Sequence, residues 1–150
     1  MKKLIQGIID FRARILPARR ELFATLAKGQ NPDSLFITCS DSRVAPNWFA
    51  STDPGDLFVV RNVGNLICPC GTGGVTAGDE SELAAVEFAV MNLKVSDIIV
   101  CGHSECGAMQ AIESGAELSH APHLKSWLRH GEPSLRRLEV RGPLSAQWTR

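Results

Sequence analysis

Two short clusters, Cys39-Ser40-Asp41-Ser42-Arg43 and Gly102-His103-Ser104-Glu105-Cys106, hold most of the side chains able to do chemistry. Thiolate and imidazole are donors that suit zinc. Two sulfurs and one nitrogen occupy three corners of a tetrahedron and leave the fourth for water or a carboxylate. That is the layout of a catalytic zinc, where a structural zinc has all four corners filled by protein. His103 and Cys106 are three positions apart, so a turn running into a helix can aim both at one point. Cys39 has to arrive from another strand. Asp41 and Arg43 are close enough in the chain for a carboxylate–guanidinium pair. Tied to Arg43, Asp41 stays ionised and accepts a hydrogen bond from water at the metal; released, it can fill the fourth corner itself. The alternative for this pair is a salt bridge that only fixes the loop. The alternative for the two thiols is a pair of small core residues, since free cysteine is often buried.

The elements that must position these groups follow from hydrophobic patterning. Leu35-Phe36-Ile37-Thr38 and Ile98-Ile99-Val100-Cys101 are short apolar runs that read as buried strands. Both clusters therefore fall just past a strand's carboxyl end, where ligand crevices form in an open α/β sheet. A strand is expected over 35–39, a second over 57–60 after the turn Asp53-Pro54-Gly55-Asp56, and a third over 98–102. Leu4, Ile8, Phe11, Ile15, Leu22 and Leu26 make an apolar helical stripe over 4–28, with Pro17 expected to kink it. Pro46 to Ala50 suggests a short helix. The spacing of Leu83, Val86, Val90 and Leu93 predicts a longer one over 80–93, and another starts near Cys106. The glycines between 64 and 78 mark a loop. Beyond Ile112 the pattern weakens; one or two helices are expected around His120 to Leu128, and residues 140–150 form an atypical tail. Strands alternating with helices imply a mostly parallel sheet flanked by helices in one α/β domain spanning 1–150, with 1–30 as a helical arm.

Composition excludes some partners. Sixteen basic residues balance sixteen acidic ones in 150, which gives no general pull toward nucleic acid or anionic membrane. No apolar run approaches the ~18 residues of a membrane span. The N-terminal apolar stretch is short and broken by Gln6 and Asp10, so it does not read as a secretory signal. Five cysteines, an odd number, do not make a disulfide framework. The cytoplasm is the expected location.

The remaining candidates carry less. Cys68 and Cys70 form a C-x-C pair that lacks two further ligands nearby, so it reads as incidental. Cys101 is expected in the core, and His120, His123 and His130 are expected to face solvent. A phosphate-binding loop with Cys39 as nucleophile and Arg43 as clamp fits poorly. Only three residues separate them, and Asp41 would repel an anion.

Cys39-Ser-Asp-Ser-Arg43 paired with Gly102-His103-Ser104-x-Cys106-Gly107, together with Arg61-Asn62-Val63-Gly64-Asn65, resembles the β-class carbonic anhydrases over about Gly29 to Leu138. The resemblance implies one zinc per chain on Cys39, His103 and Cys106, and reversible hydration of carbon dioxide to bicarbonate and a proton. It implies that the Asp41–Arg43 dyad gates the fourth zinc position, that Gln30 donates a hydrogen bond near the substrate, and that Phe58 lines an apolar pocket with Phe88 and Val63. It also implies a homodimer or higher homo-oligomer whose pockets draw on two subunits, with the first helix reaching across. Phe88 departs from the tyrosine of many plant-like members. Family members run some tens of residues further, so the C-terminal edge strand is expected to be missing. Three alternatives stand beside it: a non-catalytic zinc-binding remnant of the fold, a related hydrolase acting on a sulfur analogue of carbon dioxide, and a thiol redox or metal-sensing module using Cys68 and Cys70 with the site cysteines.

Overall fold

The computed structural model describes residues 1–69, 71 and 80–141. Cys70, most of the glycine-rich loop and the tail after 141 lie outside the described residues, and with them the C-x-C pair as a unit. Three parallel strands, β1 (Ser34–Cys39), β2 (Leu57–Asn62) and β3 (Asp97–Cys101), form a sheet in the order β2-β1-β3. The expected α/β architecture is the one observed. The register runs from Ser34 opposite Leu57 and Asp97 to Thr38 opposite Arg61 and Cys101. Parallel pairing in this register brings the carboxyl ends of β1 and β3 to one edge.

β1 is central and every one of its residues is buried. Leu35 and Ile37 are fully enclosed with Ala89, and Phe58, Val60, Ile67, Val86 and Val95 pack around them. Burying each of these two side chains contributes about 1.5–3 kcal/mol. The opposite face carries Phe36, whose ring meets Phe49 at 5.9 Å. Thr38 is a fully buried polar member of the strand, and its hydroxyl donates to the Cys101 carbonyl at 2.9 Å. That bond stitches β1 to β3 immediately before both clusters.

β3 departs from expectation. It reads as buried from sequence, yet Asp97 to Val100 are exposed and Cys101 is only half-buried. The reason is position: among the described residues β3 pairs with β1 alone and forms an edge of the sheet. Apolarity decided that this run is a strand, but neighbours decide burial, and Cys101 is therefore not a core residue.

The N-terminal segment also differs in detail. It comprises α1 (Lys2–Asp10), a wide π-helical stretch over Phe11–Ile15, α2 (Leu16–Ala18) and α3 (Arg20–Leu26). Proline has no N–H to return to the carbonyl four residues back. The irregular stretch precedes Pro17 accordingly, and the break in direction falls at Arg19 rather than at the proline. Leu4, Ile5, Ile8 and Ile9 of α1 remain exposed. Helix α4 (Pro46–Phe49) is the expected short helix. Helix α5 (Ser81–Glu87) continues as a π-helical stretch over Phe88–Leu93 that ends at Lys94 in the left-handed conformation. Helices α6 (Gly107–Glu113), α7 (Pro122–Leu128) and α8 (Glu132–Arg141) complete the described chain. Among the described residues no helix is long and apolar enough to cross a membrane. His120 and His123 face solvent as expected, whereas His130 is half-buried with its ring edge-on to Trp127.

Candidate metal centre

Past the sheet's carboxyl edge, Cys39 ends β1 and Cys106 caps the N-terminus of α6, with His103 in the turn between β3 and α6. The Sγ atoms of Cys39 and Cys106 are 3.9 Å apart. Two Zn–S bonds meeting at a tetrahedral angle would place sulfurs about 3.8 Å apart. The His103 nitrogen joins them, and the three ligand atoms lie within 4.8 Å of one another. Both cysteines are buried, and His103 is half-buried.

The protonation pattern of His103 fits the same use. Its Nδ1 lies 2.8 Å from the Ser104 carbonyl. A carbonyl only accepts, so Nδ1 carries the hydrogen, and in the neutral ring the lone pair sits on Nε2. That Nε2 is buried and has no hydrogen-bond partner among the described residues. A buried, unpaired nitrogen lone pair facing two thiols costs free energy unless something electropositive fills the gap. Ligating histidines commonly hold their other nitrogen on a carbonyl in this way. These residues can hold a metal ion.

The turn is bent sharply to achieve this. Glu105 adopts φ 55°, a left-handed conformation rare for a residue with a Cβ. Its carboxylate accepts from the Gln110 amide at 3.1 Å, and its carbonyl accepts from Arg43 at 2.9 Å. Gly64 serves a packing need on the other flank, because a Cβ there would stand 2.8 Å from that of Ala108 in α6. Its φ of 82° also belongs to the region glycine favours. Loop 62–66 is held further by the Asn62 amide, which bonds both the N–H and the carbonyl of Leu66, and by the Trp127 indole on the Val63 carbonyl at 2.7 Å.

Electrostatics favour an anionic, metal-ready Cys39. Burial raises its thiol, but the backbone N–H groups of Asp41 and Gly64, with His103 and Cys106, more than offset that and bring it to about 7. Asp41 is tied by both oxygens: Oδ1 accepts from Arg43 Nε and from the Arg43 backbone N–H, and Oδ2 accepts from Nη2, all at 2.8–2.9 Å. The guanidinium so placed holds Asp41 well below the usual carboxylate range and raises Arg43 in turn. Asp41 Oδ2 lies 4.0 Å from His103 Nε2, so the dyad borders the ligand cluster. A hollow of about 250 Å³ beside it is lined by Arg43, Val44, Phe49, Cys101, Gly102 and His103.

The other predicted site residues lie elsewhere. Val63 lines a separate hollow with Ser40, Asn62 and Trp127. Phe58 and Phe88 pack together at 5.7 Å. Phe58 pairs with Leu35, four residues before Cys39. At ~3.3 Å per residue that is about 13 Å along the strand. Gln30 lines a hollow with Leu26, Lys28 and Gly55 near the amino end of the sheet. Thr38, Arg61 and Gly64 contribute to the site without having drawn attention as site residues in the sequence. The only cue for Thr38 was a hydroxyl residue inside an apolar strand.

Comparison with known proteins agrees with this geometry. The family model described as carbonic anhydrase matches residues 34–147. A carbonic anhydrase of Pseudomonas aeruginosa is 48% identical over 134 residues, covering 88% of this chain and 58% of that protein. The solved β-carbonic anhydrase CcaA superposes with a TM-score of 0.83 at 43% identity, covering 95% of this chain and 61% of that one. Tetrameric β-carbonic anhydrases from Sordaria macrospora superpose with a TM-score of 0.75 at 29% identity, covering 95% of this chain and 69% of that one. The chain thus spans 58% of the Pseudomonas relative and 48% of one from Synechococcus elongatus.

Proposed function

The chain belongs to the β-class carbonic anhydrase family, and from that premise we propose that it catalyses the reversible hydration of carbon dioxide to bicarbonate and a proton. The observation that carries the reading is the buried, unpartnered His103 Nε2 beside the paired sulfurs of Cys39 and Cys106. In the proposed enzyme these three residues hold one zinc ion. When bound, zinc supplies Lewis-acid chemistry that lets water ionise near neutral pH. Arg43 keeps Asp41 ionised, so Asp41 Oδ2 accepts the proton-bearing side of the attacking water and orients its lone pair toward carbon. Because Asp41 spends both oxygens on Arg43, it stays off the metal while the pair is intact.

Gln30, Phe58 and Phe88 stand away from the Cys39 cluster of their own chain, which supports a site shared between two copies. In this reading Gln30 of a second copy donates its amide N–H to a substrate oxygen. Phe58 and Phe88 of that copy, with Val63, exclude water from a slot suited to a small apolar molecule. The exposed apolar residues of α1 are the face through which the copies associate, in a homodimer or a higher homo-oligomer.

The test combines zinc stoichiometry, mass in solution by light scattering, and stopped-flow carbon dioxide hydration at mildly alkaline pH. One zinc per chain, an oligomer and hydration above the buffer rate are expected. One zinc per chain with hydration at the buffer rate would refute the activity and leave the metal site standing. A monomer with that behaviour would identify a non-catalytic zinc-binding remnant.

A further inference from the structure

We propose that Arg61 is a positioning residue for the metal centre, acting through backbone carbonyls and not through contact with metal or substrate. The inference rests on the reading of Cys39, His103 and Cys106 as a metal site. β1 ends at Cys39, and the last rung of its ladder with β2 is the Ser40 N–H on the Asn62 carbonyl at 2.8 Å. Beyond that rung β2 turns away through Val63 and Gly64, and the loop carrying Asp41 and Arg43 has no strand partner to hold it. Arg61 takes over at that point. Its Nε donates to the Cys39 carbonyl at 3.1 Å and its Nη2 to the Asp41 carbonyl at 2.7 Å. One planar fork therefore spans two acceptors two residues apart, on the ligand and on the dyad carboxylate's own residue.

Register explains how Arg61 does this without entering the site. In a parallel sheet, residues paired side by side point to the same face. Arg61 pairs with Thr38, and Asn62 pairs with Cys39. Arg61 thus leaves from the face opposite the Cys39 side chain and reaches the loop through its backbone. Asn62, on the Cys39 face, holds loop 62–66, whose Gly64 N–H helps to lower the Cys39 thiol. Two consecutive residues of β2 each hold one of the two loops that surround Cys39.

The Asp41 carbonyl also accepts from the Val44 N–H at 2.9 Å, so the Arg61 bond completes its pairing and fixes the turn. That turn also sets the Asp41 N–H, which reaches Cys39 Sγ at 3.4 Å. A lysine could not reproduce the arrangement, because a single ammonium at the end of a flexible stem lacks the rigid two-donor edge.

The experiment uses the 150-residue chain and the variants Arg61→Met, Arg61→Gln and Arg61→Lys. Three quantities are read: the zinc dissociation constant by competition with a chromophoric chelator, the visible spectrum after loading with cobalt(II), and the melting temperature without metal. The Met and Gln variants are expected to bind zinc about 10–100-fold more weakly, as outer-shell changes do. They should also show altered cobalt ligand-field bands, while Lys recovers only part of the affinity. A residue that merely caps the strand would lower the metal-free melting temperature and leave zinc affinity and the cobalt spectrum unchanged; that result overturns the proposal. If Met fails to fold, Gln and Lys decide it by the same readings. Failure of the unsubstituted chain to bind zinc would sink the metal reading, an outcome distinct from wild-type binding that the Arg61 variants share in full.

Discussion

The carboxyl edge of the sheet and the rest of the molecule solve different parts of one problem. At the carboxyl edge, two sulfurs 3.9 Å apart, an imidazole with a buried free nitrogen and a doubly bonded Asp41–Arg43 pair converge within a single chain. Gln30 near the amino end, and Phe58 with Phe88 on the flank, stand apart from that cluster among the described residues. In the proposed enzyme, holding the metal is therefore a property of one chain, whereas enclosing the substrate belongs to the proposed assembly of two copies. The two ought to be separable by mutation.

The largest separation is expected at the ligands. Replacing Cys106 by alanine should abolish zinc retention through dialysis, measured by elemental analysis. Stoichiometric zinc on that variant would break the ligand set. Next comes the interface: Leu4→Asp with Ile8→Asp places charge on an exposed apolar stripe. This pair should leave zinc at one per chain, reduce the mass in light scattering to that of a monomer, and lower hydration per chain by roughly tenfold or more, since the substrate-positioning groups are lost. Full activity in a monomer would mean that the pocket is complete within one chain.

Arg43→Met tests the dyad at the carboxyl edge. It should lower hydration about 10²-fold with zinc retained, because the oriented acceptor is lost. A smaller effect concerns pH in the metal-free protein. Cys39 titrates at about 7 when folded, against an ordinary 9.0. A depressed acid stabilises the folded chain fully above its unfolded pKa, and that contribution is lost as pH falls through the folded value. Thiolate absorbance near 240 nm should therefore show a step with a midpoint near 7 that Cys39→Ser removes. The metal-free melting temperature should gain from this group between pH 7 and 9. Smallest of all is Phe88→Tyr. In a single chain Phe88 is 42% exposed, so the added hydroxyl can reach water until a second copy covers it. Stability should change by within about ±0.5 kcal/mol in a thermal melt, and the metal site should be untouched.

What was legible in the sequence follows from what is local. The strand over 35–39, the helix beginning after Cys106 and the short helix at Pro46 all rest on neighbouring residues, and all appear within a residue or so of expectation. Exposure was not local. Ile98, Ile99 and Val100 carry the composition of a buried strand, yet they lie on an edge because nothing among the described residues pairs with β3 on its far side. The roles of Arg61 and Thr38 were equally invisible, since each bonds a carbonyl that only sheet pairing brings near.

The chain's own order of residues settled which donors exist, that they follow strand ends, and that sulfur and imidazole together suit zinc. Only the tertiary structure decided that Cys39 and Cys106, 67 positions apart, would meet. Parallel pairing in register sets Thr38 beside Cys101, and the two turns that follow leave the sheet from the same edge. Side-chain chemistry is written residue by residue, but proximity comes from backbone hydrogen bonds between strands and from the burial of β1, and both exist only once the whole sheet has formed.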